Sequence, residues 1–167
     1  MILNRNEIEK LPCKRAGIIP YIVKDGIYFL MGVDKRTGQF SDFGGGIKNG
    51  ETPILAGIRE LYEETKQLIK EDDLEQIKVG IFDRPNATCI IFCKIRDWTV
   101  INNLCDKFKK QNMSGDEYNE MSDLIWLSED EMIRHVYSEH SNIWQRIRYS
   151  LLNSGEFDET FLSCLKD

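Results

Sequence analysis

The sequence lacks any long apolar run. Its 167 residues contain no stretch close to the ~20 consecutive apolar residues that a membrane-spanning helix needs. The first ten residues also lack the continuous apolar region of a secretory signal. With 41% hydrophobic and 30% charged residues, the composition is typical of a globular domain. We therefore expect a cytoplasmic protein with no membrane partner.

Cysteine and histidine are too few, and too irregularly spaced, for a zinc site. The chain has five cysteines and two histidines, and neither type shows the paired spacing of metal ligands. The odd number of cysteines favours reduced thiols in a reducing compartment. Cys89 and Cys93 are four residues apart in a predicted strand, so they face the same side and are expected to pack in the core.

An excess of positive charge is also missing, because the net charge is −6. Capture of nucleic acid depends on Lys and Arg side chains that neutralise phosphates. The composition therefore argues against a general nucleic-acid binder and leaves a capped RNA end as the only nucleic-acid partner still open. Internal repeats and low-complexity segments are absent too. We expect a single domain over 1–167, with an N-terminal arm at 1–15 and C-terminal helices over 141–167.

The most informative segment runs from Phe43 to Lys66. It contains three consecutive glycines, Gly44 to Gly46, which allow the backbone to approach a ligand closely because glycine has no side chain. A helix is predicted to follow, with Thr52 as its N-cap and Pro53 at the first helical position.

This helix carries its carboxylates on one face. A rotation of ~100° per residue places Glu64 about 40° and Glu63 about 60° from Glu60. The opposite face is apolar and is predicted to be buried; it consists of Ile54, Leu55, Ile58, Leu61 and Tyr62. Ala56 and Gly57 lie beside the carboxylates and are small, which predicts open space over the acidic face.

The clustered carboxylates predict a divalent cation. Like charges three and four residues apart destabilise an isolated helix by about 0.2–0.5 kcal/mol per pair, so a counter-ion is expected. Ligands that are all oxygen favour Mg²⁺ or Mn²⁺, and the usual partner of a carboxylate-bound Mg²⁺ is a substrate phosphate. Taken alone, three glutamates also fit a solvated acidic face.

The spacing of the whole segment resembles the Nudix box of the Nudix hydrolases. Gly45 is followed after five residues by Glu51, and after seven more by Arg59-Glu60-Leu61-Tyr62-Glu63-Glu64. Two positions depart from the family pattern, which expects glycine and then an apolar residue where this chain has Lys66 and Gln67. A glycine there would end the helix in the left-handed conformation. The departure leaves the helix end open, and a longer last turn is one outcome.

The resemblance implies an α/β fold, a Nudix-type α/β/α sandwich with a mixed, largely antiparallel sheet. It also implies hydrolysis of a nucleoside diphosphate linked to another moiety by a metal-activated water. Glu60 and Glu64 would be the principal metal ligands, Glu63 a further ligand or a water-orienting carboxylate, and the carbonyl of Gly44 would complete the shell. Arg59 and Glu51 would form a salt bridge that fixes the loop to the helix.

The resemblance implies a general base either on the box helix or on a downstream loop, whereas the substrate contacts are expected outside the box. The loop before the Trp126 strand offers Glu117 and Glu120, of which we favour Glu120. Arg36 and Arg84 are candidates for a distal phosphate, Phe40 for stacking on a base, and Gly45 for a backbone contact.

Several functions share this box. Besides a small nucleotide substrate, the sequence leaves open mRNA decapping, hydrolysis of an inositol pyrophosphate, and a nucleotide-binding module without turnover. It also leaves open whether the chain is a monomer or a homodimer.

Other local patterns predict the remaining elements. Two apolar runs around Asp25-Gly26 predict a hairpin over residues 16–34, with Pro20 at a bulge or an edge. A second hairpin is expected around residues 83–86, and a helix over 98–111. Ser128 begins the capping-box pattern of a further helix. Trp98, Trp126 and Trp144 are predicted to serve in packing.

Overall fold

The computed structural model describes residues 3–167, without the side chains of Ile77 and Trp98. Residues 1 and 2 of the predicted arm, and the predicted packing of Trp98, therefore lie outside what it describes. The strands are β1 (Arg15–Val23), β2 (Ile27–Asp34), β3 (Phe40–Ser41), β4 (Phe43–Gly46), β5 (Leu74–Asp83), β6 (Thr88–Ile95) and β7 (Met121–Ser128). The α-helices are α1 (Arg5–Ile8), α2 (Pro53–Glu64), α3 (Trp98–Ile101), α4 (Leu104–Lys110), α5 (Glu129–Tyr137), α6 (Gln145–Asn153) and α7 (Glu159–Lys166).

These strands form one mixed sheet in the order β3-β2-β1-β6-β5, with β4 also paired to β1 and β7 to β2. β1 and β6 run parallel, and the other strand pairs are antiparallel. Both predicted hairpins are confirmed, the first as β1–β2 and the second as β5–β6. The strand expected around Trp126, over residues 124–127, is present as the longer β7.

Pro20 lies at neither a bulge nor an edge. On one side of β1, Pro20 pairs with Cys93 of β6. On the other side, β1 pairs with β4 up to Ile18 and with β2 from Tyr21 onward. Pro20 therefore falls where the neighbouring strand changes, and a residue without an N–H donor is tolerated there. The sequence could not reveal this fork, because it depends on where β4 ends.

Alternate residues of the strands pack into two apolar layers, one on each face of the sheet. Ile18 and Cys89 belong to the layer under α2, whereas Ile19 and Ile90 belong to the layer under α5, α6 and α7. This alternation follows from the two-residue period of a strand. Cys93 is buried beside Cys89 in the first layer, as predicted. The arrangement of helices on both faces is the predicted α/β/α sandwich.

The buried face of α2 is only partly the predicted one, because Ile54 and Leu61 are fully buried as expected but the face extends toward the acidic edge of the helix. Leu55 is 49% exposed, whereas Ala56 is fully buried. A Cβ added at Gly57 would meet Ile18 Cγ1 at 3.0 Å, so the small residues allow close packing of α2 on the sheet rather than open space. The helix is thus rotated toward its acidic face. The helical period predicted which residues of α2 share a face. It did not predict which edge of the apolar face packs on the sheet.

The C-terminus of α2 keeps its expected shape without the family's glycine. Lys66 and Gln67 have φ values of 53° and 66°, both in the left-handed region. The Lys66 amide donates to Glu63 O at 3.0 Å and the Gln67 amide to Tyr62 O at 2.7 Å, which is the Schellman pattern. The longer last turn did not form. Lys66 Nζ lies 4.2 Å from the centroid of the Phe108 ring, a tertiary contact that helps hold the residue there.

Replacing Gln67 by glycine should stabilise the protein. Glycine adopts positive φ without the steric cost that a side chain carries there, so we expect Gln67→Gly to raise the free energy of unfolding by about 0.5–1 kcal/mol. Urea denaturation measures this. Gln111→Gly is the control, because Gln111 ends α4 with a φ of −79° and gains nothing from glycine. A lower free energy of unfolding in Gln67→Gly would contradict the idea that the positive φ of Gln67 strains the backbone.

The remaining local predictions are partly confirmed. The helix expected over 98–111 is split into α3 and α4, because Asn103 takes a φ of 56° between them. The capping box at Ser128 is confirmed, with the Glu131 amide donating to Ser128 Oγ and the Ser128 amide donating to the Glu131 carboxylate. Trp126 packs against the layer under α2. Among the described residues, none of the helices has the length and apolar character needed to cross a membrane.

Candidate active site

The glycine strand β4 and the acidic helix α2 are brought together by the sheet. β4 pairs with β1, and the two approach so closely that a Cβ at Gly44 would meet Ala16 O at 2.8 Å. The Gly44 amide donates to Glu64 Oε2 at 3.1 Å. A Cβ at Gly45 would overlap the carboxylate of Glu60. Glycine is therefore required here because the carboxylates of α2 lie directly on the strand backbone.

Arg59 ties the loop to the helix. Its Nε donates to Glu51 Oε2 at 2.8 Å and its Nη2 to Glu51 Oε1 at 3.0 Å, a bidentate pair. Nη2 also donates to Gly46 O at 3.1 Å. On the same guanidinium, Nη1 donates to Glu60 Oε1 at 2.8 Å and lies 3.4 Å from Glu63 Oε2. The Arg59–Glu51 ion pair expected from the sequence is present, and Arg59 also holds two of the predicted metal ligands.

The charged forms of Glu60 and Glu64 on α2 are destabilised by their surroundings. Glu64 is 2% exposed, and burial raises its pKa well above the usual range; a hydrogen bond with Glu120 and the nearby charges of Asp42 and Glu60 add to the rise. Burial also raises the pKa of Glu60, although its hydrogen bond to Arg59 opposes the change. The hydrogen bond to Arg59 lowers the pKa of Glu51, by contrast. The charges of the proposed ligands are thus only partly compensated, because the single guanidinium of Arg59 that pairs with Glu60 and Glu63 is also shared with Glu51.

The donor set fits a hard divalent cation. Glu60, Glu63, Glu64 and Glu120 offer only carboxylate oxygens, and the pKa values of Glu60 and Glu64, raised chiefly by burial, mark the place where a cation would stabilise the charged carboxylates. Within residues 3–167, no group of three or more His, Cys, Asp or Glu side chains is already arranged to hold a metal ion. Arg59 engages Glu60 and Glu63, so a cation held by both would compete with this guanidinium.

A cavity of about 520 Å³ opens beside these carboxylates. Glu64 and Glu120 line it together with all three glycines of β4 and with Arg36. Five of the site residues proposed from the sequence therefore meet at one cavity: Arg36, Gly44, Gly45, Glu64 and Glu120. The volume is within the range of small-molecule sites.

Phe40 and Arg84, the other two predicted substrate contacts, lie outside the lining of this cavity. The Phe40 ring packs against the layer under α5, α6 and α7, and its centroid lies 5.5 Å from that of His135 in an edge-on contact. The guanidinium of Arg84 stands 5.7 Å from the centroid of Phe82 in the β5–β6 turn. The sheet directs Phe40 away from the cavity, so neither residue belongs to the cavity lining.

Sequence reasoning missed a buried ion pair beneath the glycine strand. Arg15 Nη1 donates to Asp42 Oδ2 at 2.9 Å and Nη2 to Asp42 Oδ1 at 2.6 Å, and Asp42 is completely buried. Burial lowers the pKa of Arg15, but the charge of Asp42, its hydrogen bond to Arg15 and the charges of Glu64 and Glu60 together outweigh it, so that the net shift is upward. An arginine at the start of an apolar strand run was the available signal, although nothing in the sequence pairs it with Asp42.

Trp144 packs as predicted, against the layer under α5, α6 and α7, but the sequence did not indicate its place at the cavity. It is only partly buried and lines the cavity. Its amide donates to Phe40 O at 2.7 Å, which fixes the residue at the sheet edge just before α6. The indole has the guanidinium groups of Arg15 and Arg146 within 5.7 and 5.4 Å of its centroid. The contacts across residues 40–144 that place it there are not visible in a local pattern.

Comparison with known proteins shows what this fold resembles. A crystal structure of C. elegans Ap4A hydrolase in a binary complex aligns with a TM-score of 0.54, 18% sequence identity, and coverage of 86% of this chain and 97% of that chain. A second structure of C. elegans Ap4A hydrolase aligns with a TM-score of 0.51 and 17% identity over 87% of this chain and 97% of that chain. The chain has a Nudix-type fold.

Other comparisons add no further argument. A mutT/nudix family protein from Listeria innocua aligns over 92% of this chain and 99% of that one, with 15% identity and a TM-score of 0.49. No protein-family model matches the sequence, and no curated protein matches it. The similarity to these structures is one of fold, because fewer than one residue in five is identical.

Proposed function

We propose that this chain is a Nudix hydrolase, a single domain over 1–167, that acts in the cytoplasm on a small nucleotide. The reaction is hydrolysis of the pyrophosphate bond in a nucleoside diphosphate linked to another moiety. The observation that carries the proposal is the set of carboxylates, Glu60, Glu64 and Glu120, packed against a glycine strand beside the cavity, with raised pKa values at Glu60 and Glu64. The spacing of the box and the resemblance in fold support it.

Each group has a distinct role in this proposal. Glu60, Glu64 and Glu63, with the carbonyl of Gly44, would hold Mg²⁺ or Mn²⁺, which when bound polarises the phosphoryl oxygens and lowers the pKa of water. Glu120 takes the proton of the attacking water, because its side chain is within hydrogen-bonding distance of Glu64 and it lines the cavity.

Arg59 and Glu51 are positioning residues. Through Arg59, the bidentate pair joins the β4 backbone at Gly46 to the acidic helix, and so fixes the carboxylates relative to the glycine strand.

A metal-dependent screen tests the proposal. Phosphate or nucleotide release should be measured over nucleotide sugars, ADP-ribose, NAD(H), nucleoside triphosphates, dinucleoside polyphosphates, an inositol pyrophosphate and capped RNA, each with Mg²⁺ and with EDTA. We expect Mg²⁺-dependent turnover of a small nucleotide. Turnover of capped RNA or of the inositol pyrophosphate alone would replace the proposed substrate class. Binding of a nucleotide without turnover of any compound would make the chain a binding module.

Gly45→Ala should impair turnover far more than Gly46→Ala. The new Cβ at residue 45 would overlap Glu60 Oε1, whereas a Cβ at residue 46 has no atom within 4 Å. Displacing a carboxylate by about 1 Å costs up to ~10²-fold in rate, so we expect a tenfold to hundredfold drop for Gly45→Ala, and less than about twofold for Gly46→Ala. Initial rates on the substrate found by the screen measure this. Equal rates for the two variants would contradict the contact between Glu60 and the glycine strand.

A further inference from the structure

The cavity has a basic side that the reaction proposed above does not use. Lys14, Arg36 and Arg146 all line it, and they come from three separate places: the residue before β1, the β2–β3 turn and the first turn of α6. Across residues 3–167, the ion pairs of the structure include a partner for Arg15 but none for these three. Cations that converge on one cavity in a chain of net charge −6 indicate an anionic ligand.

A cation–π contact with Trp144 helps to hold Arg146 at the cavity. Its guanidinium carbon lies 5.4 Å from the centroid of Trp144, and Arg15 contacts the same indole at 5.7 Å. Arg15 is already neutralised by Asp42, so it supports the indole while Arg146 keeps its charge for a ligand. With two guanidinium groups against it, the indole serves to position cations and is poorly suited to stack on a base.

The backbone around these cations is also suited to an anion. Helix α6 spans nine residues and begins at the cavity with Trp144 as its N-cap, which makes no side-chain cap hydrogen bond. The positive end of the helix dipole adds to the charge of Arg146. Arg36 is in a fixed turn, because its amide donates to Asp34 Oδ1 at 2.9 Å. Asn86 and Thr88 add neutral polar groups to the lining, and Asp34 adds a carboxylate whose Oδ1 already accepts from the Arg36 and Thr37 amides.

We propose that Lys14, Arg36 and Arg146 form a subsite for phosphates beyond the scissile pyrophosphate, and that the substrate is a nucleoside polyphosphate with three or more phosphates in a row. This inference rests on the proposed function, because it takes the carboxylates of α2 as the place of the scissile bond. A pyrophosphate alone would leave the three cations without partners. A longer phosphate chain supplies a charge for them, and each contact is a charge-assisted hydrogen bond.

Calorimetric titration with inorganic tripolyphosphate and with pyrophosphate, in EDTA and at low ionic strength, tests the subsite without metal or turnover. We expect tripolyphosphate to bind at least about tenfold more tightly than pyrophosphate, and Lys14→Gln, Arg36→Gln or Arg146→Gln to weaken it by about threefold to tenfold each. Arg134→Gln is the matched control, because Arg134 is an exposed arginine of α5 that does not line the cavity. Circular dichroism checks that each variant is folded.

Equal affinity for the two anions, or tripolyphosphate binding that the three cavity variants leave unchanged, would overturn the subsite. An equal loss in Arg134→Gln would also overturn it, since binding would then follow overall charge. These results are independent of hydrolysis, so a failure of the substrate screen would refute the proposed reaction and not the subsite. If both hold, kcat/KM for a nucleoside triphosphate should exceed that for ADP-ribose by about tenfold or more, and Arg146→Gln should reduce this ratio.

Discussion

Glu64→Gln is expected to lower turnover by at least about 10³-fold while the fold is retained. Glu64 is a candidate metal ligand, accepts a hydrogen bond from the Gly44 amide and lies at Glu120. Glutamine keeps the size and an oxygen for the Gly44 amide but removes the charge. Because burial raises the pKa of Glu64, a neutral side chain there relieves a folded-state penalty at neutral pH, and the melting temperature should not fall.

Two measurements accompany this variant. Steady-state rates with Mg²⁺ give the loss of turnover, and thermal unfolding with and without Mg²⁺ reports the cation separately. Saturating Mg²⁺, at about 100 times its Kd, should stabilise the unmodified protein by about 2.7 kcal/mol, and Glu64→Gln should lose most of that gain. Glu159→Gln, an exposed carboxylate of α7, is the control and should change neither quantity. Full activity in Glu64→Gln would show that Glu64 is not needed for turnover and would contradict its role as a metal ligand.

Asp42→Ala is expected to destabilise the protein by about 3–5 kcal/mol, because it leaves the Arg15 guanidinium buried without its partner. The Arg15 and Asp42 side chains are 10% and 0% exposed, so little solvent reaches either charge. Urea denaturation at neutral pH measures the change in the free energy of unfolding.

Two comparisons separate pairing from simple loss of packing. The double variant Arg15→Met/Asp42→Leu should recover most of the loss, since it removes both charges together. Lys109→Ala breaks the exposed pair with Asp123, whose atoms are 3.6 Å apart, and should cost less than about 1 kcal/mol. A loss for Asp42→Ala no larger than that for Lys109→Ala would contradict the importance of the buried pair.

The sequence predicted the parts of the site that are local in the chain. The N-cap at Thr52, the close carboxylates of α2 and the pairing of Arg59 with Glu51 all depend on residues within about two helical turns or one short loop, and the structure has each of them. The same holds for the hairpin partners and for the capping box at Ser128. Their catalytic roles remain predictions that the variants above address.

The parts that failed depend on distant segments. Which edge of α2 meets the sheet is decided by Ile18 of β1 at Gly57, and the fork at Pro20 by where β4 ends. Trp144 reaches the cavity because its backbone pairs with Phe40, a residue about 100 positions earlier in the chain. Lys66 and Gln67 show the reverse case, in which the backbone kept the shape that glycine would have favoured and tertiary contacts offset the strain.

The most direct test of the account is hydrolysis of the substrate from the screen in ¹⁸O-labelled water. With Mg²⁺ present, one labelled oxygen should appear on phosphorus in one of two phosphate-bearing products, and EDTA or Glu64→Gln should stop the reaction. That result is what attack of water on a pyrophosphate bond at the carboxylates of α2 predicts. Label on carbon, or turnover that persists in EDTA and in Glu64→Gln, would contradict it.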